Sequence, residues 1–193
     1  MNGYFCSKAT SVLCQPIISM MPPHDTYIET QLGGGAIMRR KPTALNNIAI
    51  DLDLKALNDF SFDYTVEKVH GCAHQFLSKY DCRSRELVYC DPPNLLYTRT
   101  SNRRYRFEYE EQGHIELLET VKTLPCSVML SGYPSTLYED LLTGWRILEL
   151  QVKKPVHINI ILIRRLFQEN LLKSSLFLFI KSGVPKKKFF VIV

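Results

Sequence analysis

Leu87-Val88-Tyr89-Cys90-Asp91-Pro92-Pro93-Asn94 is an apolar run that stops at a carboxylate followed by two prolines. Proline has no N–H and a fixed φ, so the pair ends ladder pairing and holds the chain extended just past the run. The stretch reads as a buried strand delivering Asp91 to a rim, with the carbonyl of Pro92 left to accept a hydrogen bond. In open α/β sheets, ligands sit outside the carboxyl ends of the strands. Taken alone, the same residues also fit a tight turn after a strand, and the rest of the chain must decide.

Upstream, Tyr27-Ile28 leads to Gly33-Gly34-Gly35, and Asn47-Ile48-Ala49-Ile50 leads to Asp51-Leu52-Asp53. A short strand, glycines, a helix and a second short strand ending in acids is the opening of a βαβ unit. Glycines let the backbone turn tightly and approach a ligand, and an acid ending the second strand can hydrogen-bond a ribose diol. Asp51 follows Gly35 by sixteen residues, near the separation of about 20 expected of a nucleoside-binding βαβ. Asp53 to Phe62 then reads as a helix, Glu67-Lys68-Val69 as a strand and Ala73 to Tyr80 as a helix.

Downstream, Thr98 to Gly113 is polar and arginine-rich with few core-forming positions, a surface insertion. His114 to Lys122 has the pattern of an amphipathic helix, Ser127 to Leu130 of a strand, Ser135 to Leu142 of a helix with Ser135 as N-cap, and Trp145 to Val152 of a strand. Alternation of this kind predicts an α/β fold with a mostly parallel sheet and helices on both faces. Past Lys153 the pattern weakens: Val156–Ile163 is strand-like, Arg164–Leu172 helical, and Ser174–Val193 apolar and lysine-rich without a period. There is no internal repeat.

The chain of 193 residues is the size of one ordinary domain, and its net charge of +5 is a modest basic bias compatible with a nucleic-acid partner. The six cysteines form no CxxC pair, which argues against a zinc site and a disulfide scaffold and for reduced thiols in a cytoplasm. His70, His74 and His114 lack metal-ligand spacing; His74 is expected on a helix surface and His114 at a helix start. Met1 to Ser19 lacks the apolar core of a signal peptide, and no apolar run is long enough for a spanning helix, so neither secretion nor a membrane is expected.

Gly33–Gly35, Asp51 and Asp91-Pro92-Pro93, in that order and followed by a basic insertion, resemble the D12-type adenine-specific DNA methyltransferases, particularly phage-associated ones. The resemblance runs from about Tyr4 to Gln151. Tyr4 to Lys8 is similar to the family's Gly-Ser-Lys segment, Pro23 to Glu29 to the lead-in to its glycine motif, and Asp91 to Arg99 to its catalytic Asp-Pro-Pro-Tyr loop. Ser131-Gly132-Tyr133, Tyr138 and Trp145 are similar to a later block. The resemblance implies a Rossmann-like S-adenosylmethionine-dependent methyltransferase fold over residues 1–152. It implies transfer of a methyl group from S-adenosyl-L-methionine to adenine N6 in double-stranded DNA, without a metal. Asp91, Pro92, Pro93 and Asn94 would form the catalytic loop. Lys8, Glu29, Gly33, Gly35, Asp51 and the position of Cys72 would hold the cofactor. Arg99, Arg103, Arg104, Tyr105 and Arg106, within an insertion spanning 95–113, would contact DNA, because cations interleaved with aromatics bind phosphates and stack on bases.

The chain departs from the family at four positions. Asn94 replaces a tyrosine or phenylalanine, Gln31 a phenylalanine, Cys72 an aspartate that meets the cofactor adenine, and Cys6 a glycine. Residues 153–193 do not follow the family's C-terminus, as the end of a frameshifted or recombined reading frame would not. Two other readings stay open: a degenerate member that binds DNA or cofactor with little turnover, and a nucleotide-dependent oxidoreductase sharing the βαβ opening.

Overall fold

The computed structural model describes residues 11–98, 106–151 and 158–164. Its centre is a strand, β1 (Thr26–Thr30), every residue of which is buried. Such burial requires strands on both sides and cover on both faces. Parallel neighbours supply the sides: β2 (Asn46–Asp51) and β4 (Glu86–Cys90), with Thr30 level with both Ile50 and Cys90. β3 (Glu67–His70) extends the sheet beyond β2, and β5 (Ser127–Gly132) beyond β4. β6 (Arg146–Gln151) and β7 (Ile158–Arg164) complete the order β3-β2-β1-β4-β5-β7-β6. β7 runs antiparallel between β5 and β6. That strand lies past residue 152, within the segment whose sequence departs from the family.

Alternation along the strands sends side chains to two cores. Tyr27, Ala49, Leu87, Tyr89 and Met129 pack on one face with Cys14 and Ile17 of α1 (Ser11–Ser19). Ile28, Ile48, Val88, Cys90, Val128 and Leu130 face α3 (Ala73–Leu77), α4 (Glu111–Thr123) and α5 (Thr136–Leu141). α4 buries His114, Leu117, Leu118 and Val121, the i, i+3, i+4, i+7 stripe of a helix with one face on a sheet.

Several boundaries differ from the sequence reading. The helix expected from Asp53 is α2 (Leu54–Asn58), one turn capped by the Asp53 carboxylate on the N–H of Lys55. No helix follows the glycines: residues 36–41 make separate turns, with Arg39 N–H on Gly35 and Lys41 N–H on Ile37, before Pro42 stops them. α4 begins at Glu111, so His114 sits inside it, 1% exposed, with Nδ1 2.8 Å from the Tyr138 hydroxyl. α1 was not foreseen. Among the described residues no helix is long and apolar enough to cross a membrane.

Candidate active site

Parallel registry brings four strand ends to one edge. There the chain leaves β1 into Gln31–Gly35, β2 into Asp51–Asp53, β3 into Gly71-Cys72 and β4 into Asp91-Pro92-Pro93-Asn94. Sheet order reverses between β1 and β4, the point at which a crevice opens in doubly wound sheets.

The glycine loop is built on left-handed backbone. Gln31, Gly33 and Gly35 have φ of 50°, 52° and 58°. A Cβ at Gly35 would lie 2.0 Å from Cε2 of Phe60, so that position needs glycine twice over. Asp51 clamps the loop: Oδ2 accepts from Gly33 N–H at 2.8 Å and Oδ1 from Asp53 N–H at 2.7 Å. Burial raises the Asp51 pKa, and these N–H donors pull it back. A carboxylate has about four acceptor positions, so Asp51 still has capacity for hydroxyls of a ligand. Gln31 adds a donor: its side-chain oxygen accepts from Thr30, while Nε2 is buried with no hydrogen-bond partner.

Across the crevice, pairing ends at Cys90 opposite Leu130 and the prolines follow at once, as expected. The Asp91 carboxylate accepts from Ser131 Oγ at 3.1 Å, and Ser131 Oγ lies 2.9 Å from the Tyr89 hydroxyl. A carboxylate only accepts, so Ser131 spends its proton on Asp91 and Tyr89 donates to Ser131. Tyr89 and Ser131 are buried, and the relay fixes Asp91 from behind. Asn94 is fixed as well: its Oδ1 accepts from Tyr133 N–H at 3.1 Å, tying the proline loop to the end of β5. Sequence reading places Ser131 in a block similar to the family's but gives it no contact with Asp91; its place at the end of the adjacent strand was the signal.

The remaining expected residues divide. Glu29 lies within β1, 3% exposed, and accepts from the Tyr27 hydroxyl at 2.9 Å. Cys72 reaches the edge, but its sulfur lies 3.2 Å from His74 Nδ1, with the Tyr109 hydroxyl 3.2 Å from the same nitrogen. His74 Nε2 meets Glu116 at 3.1 Å, so His74 joins α3 to α4 rather than facing solvent. Arg106 pairs with Asp53 at 3.3 Å, bringing the insertion's end to the β2–α2 turn. Lys8, Arg99, Arg103, Arg104 and Tyr105 lie outside the described residues. On either side of that gap, Tyr97 is 60% and Phe107 49% exposed.

The fold is the Rossmann-like fold of the S-adenosylmethionine-dependent methyltransferases. Among solved structures, the E. cuniculi complex responsible for methylation of a translation termination factor aligns with a TM-score of 0.56 at 16% identity, over 84% of this chain and 97% of that chain. The N-methyltransferase NodS from Bradyrhizobium japonicum gives 0.52 at 10%, over 78% and 90%. TrmK of M. capricolum, in complex with S-adenosyl-homocysteine, gives 0.52 at 10%, over 78% and 66%. No protein-family model matches the chain. No curated protein matches it in sequence. The order β4-β5-β7-β6, with β7 antiparallel, also differs from the 4-5-6 order of a dinucleotide-binding oxidoreductase.

Proposed function

We propose that this protein is an adenine N6-specific DNA methyltransferase using S-adenosyl-L-methionine. The observation carrying the proposal is Asp91, braced by Ser131 and followed by two prolines, at the strand edge that also holds the glycine loop and Asp51. The residues fit the cofactor: Asp51 has acceptor capacity for ribose hydroxyls, and the buried Gln31 Nε2 is a donor for a carboxylate. When bound, the cofactor supplies an electrophilic sulfonium methyl.

The protein's part is to prepare the nucleophile. The exocyclic amine of adenine is weak because its lone pair is delocalised into the ring. Hydrogen bonds from its two protons to Asp91 and to the Pro92 carbonyl localise that pair, and the rest of the barrier is lowered by positioning and electrostatics. A base inside a duplex must first be flipped out and stacked. Asn94 has no ring for this; the exposed Tyr97 follows three residues along the chain.

The test is transfer of labelled methyl to adenine-containing duplex, followed by nucleoside analysis, with Asp91→Ala as control. Asp91-dependent N6-methyladenine is expected; its absence alongside intact cofactor binding would favour a degenerate, binding-only protein. That second reading rests on Gln31, Asn94, the departure of residues 153–193 and Cys72, whose thiol faces His74 where the family has a carboxylate.

A further inference from the structure

The opposite edge of the sheet carries a cluster that the methyl-transfer reading does not use. Glu86 opens β4, and Cys126 immediately precedes β5. Leu87 pairs with Ser127, so Glu86 and Cys126 stand side by side on adjacent strands. Cys82 enters from the loop before β4, its Sγ 3.1 Å from that of Cys126. The two sulfurs and a Glu86 oxygen lie within 4.8 Å of one another. Both Glu86 oxygens accept from Arg83 N–H at 3.0 Å, which holds the loop and its cysteine against the strand ends.

We propose that Cys82, Cys126 and Glu86 form a binding site for a thiophilic divalent cation of the zinc class, with a fourth position open to water or a ligand. Two sulfurs on one tetrahedral zinc stand about 3.8 Å apart, so the pair must open by about 0.7 Å from its 3.1 Å separation. Charge supports the assignment. Two thiolates and a carboxylate carry three negative charges, which a divalent cation and one neighbouring guanidinium cancel. Arg164 is that neighbour: burial disfavours its charge, Cys126 and Cys82 offset part of that cost, and its outer nitrogens donate to the carbonyls of Lys122 and Leu124, on the approach to Cys126. Its Nε is buried without an acceptor. A metal displaces the thiol protons as it binds, so binding releases protons and weakens in acid. The site is independent of the methyl-transfer reading.

The test is titration of the reduced full-length chain with zinc against a chromophoric chelator, and with cobalt(II) as a spectroscopic probe. One zinc per chain, a thiolate-to-cobalt charge-transfer band and a raised unfolding temperature are expected. Cys82→Ser and Glu86→Gln should weaken zinc binding by about tenfold or more with unchanged circular dichroism. Cys82 is half-buried, so its replacement spares the core. Absence of the thiolate band, undiminished affinity in Cys82→Ser, or a Cys82–Cys126 disulfide forming in place of bound metal under reducing conditions would each overturn the proposal.

Discussion

Asp91 and Asn94 are three residues apart in sequence, yet the structure gives them separable work. Asp91 is held by the buried Tyr89–Ser131 relay and is placed to accept from a substrate amine. Asp91→Ala should lower turnover by about 100- to 1000-fold, the usual cost of deleting one preorganised polar group, with cofactor affinity unchanged by calorimetry. Ser131→Ala removes only the brace; it should lower kcat by a smaller factor, since Asp91 keeps its charge. Asn94 instead holds the Tyr133 N–H. If flipping is limited by the missing ring, Asn94→Tyr should tighten DNA binding about tenfold, within the 1–3 kcal/mol per base of aromatic stacking. Weaker binding in filter or anisotropy assays would show instead that the Asn94–Tyr133 contact matters more.

At the scale of elements, the loops at the carboxyl edge depend on backbone that few residues can adopt. Gly35→Ala must place a methyl 2.0 Å from the Phe60 ring at φ 58°, and should destabilise the protein by about 1–3 kcal/mol in urea unfolding. Ser135 caps α5 through the Tyr138 N–H, so Ser135→Ala should cost about 1 kcal/mol. The sequence was most legible in elements of this kind: strands written as unbroken apolar runs, the Ser135 cap, and an acid followed by two prolines. It was least legible where tertiary packing overrode local pattern. Pro16 reads as a helix breaker, yet α1 forms because Leu13, Cys14 and Ile17 are buried, Cys14 and Ile17 on one sheet face. His114 looked like a helix start because the polar residues before it hide a turn that Gly113 and Tyr109 pack together. The Cys82–Glu86–Cys126 cluster could not be read from spacing, because strand registry alone makes two of its members neighbours.

Over the whole molecule, burial of ionisable groups sets how stability varies with pH. Lys41 is 5% exposed, with Nζ 4.3 Å from the centre of the Tyr27 ring, and burial lowers its pKa from 10.5 to about 8. Below pH 8 the lysine is charged in both folded and unfolded chains, so the full cost of burying that charge is present. Between about 8 and 10.5 the unfolded chain holds more of the proton, and stability rises with pH by at most about 3 kcal/mol. Cys90 acts in the opposite sense. Burial raises its thiol from 9.0 to about 12, so the folded chain holds the proton longer and stability falls as pH rises through that interval. The buried Tyr27 and Tyr138, also raised, add to that loss at higher pH. The two trends cross in the alkaline range, so a single wild-type curve does not separate them, whereas a difference curve does. Lys41→Met should be more stable than wild type at pH 7 by urea unfolding, and the advantage should shrink steadily above pH 8 and vanish near 10.5. A difference independent of pH would mean that Lys41 is not buried with its charge, and that the core beneath β1 admits water.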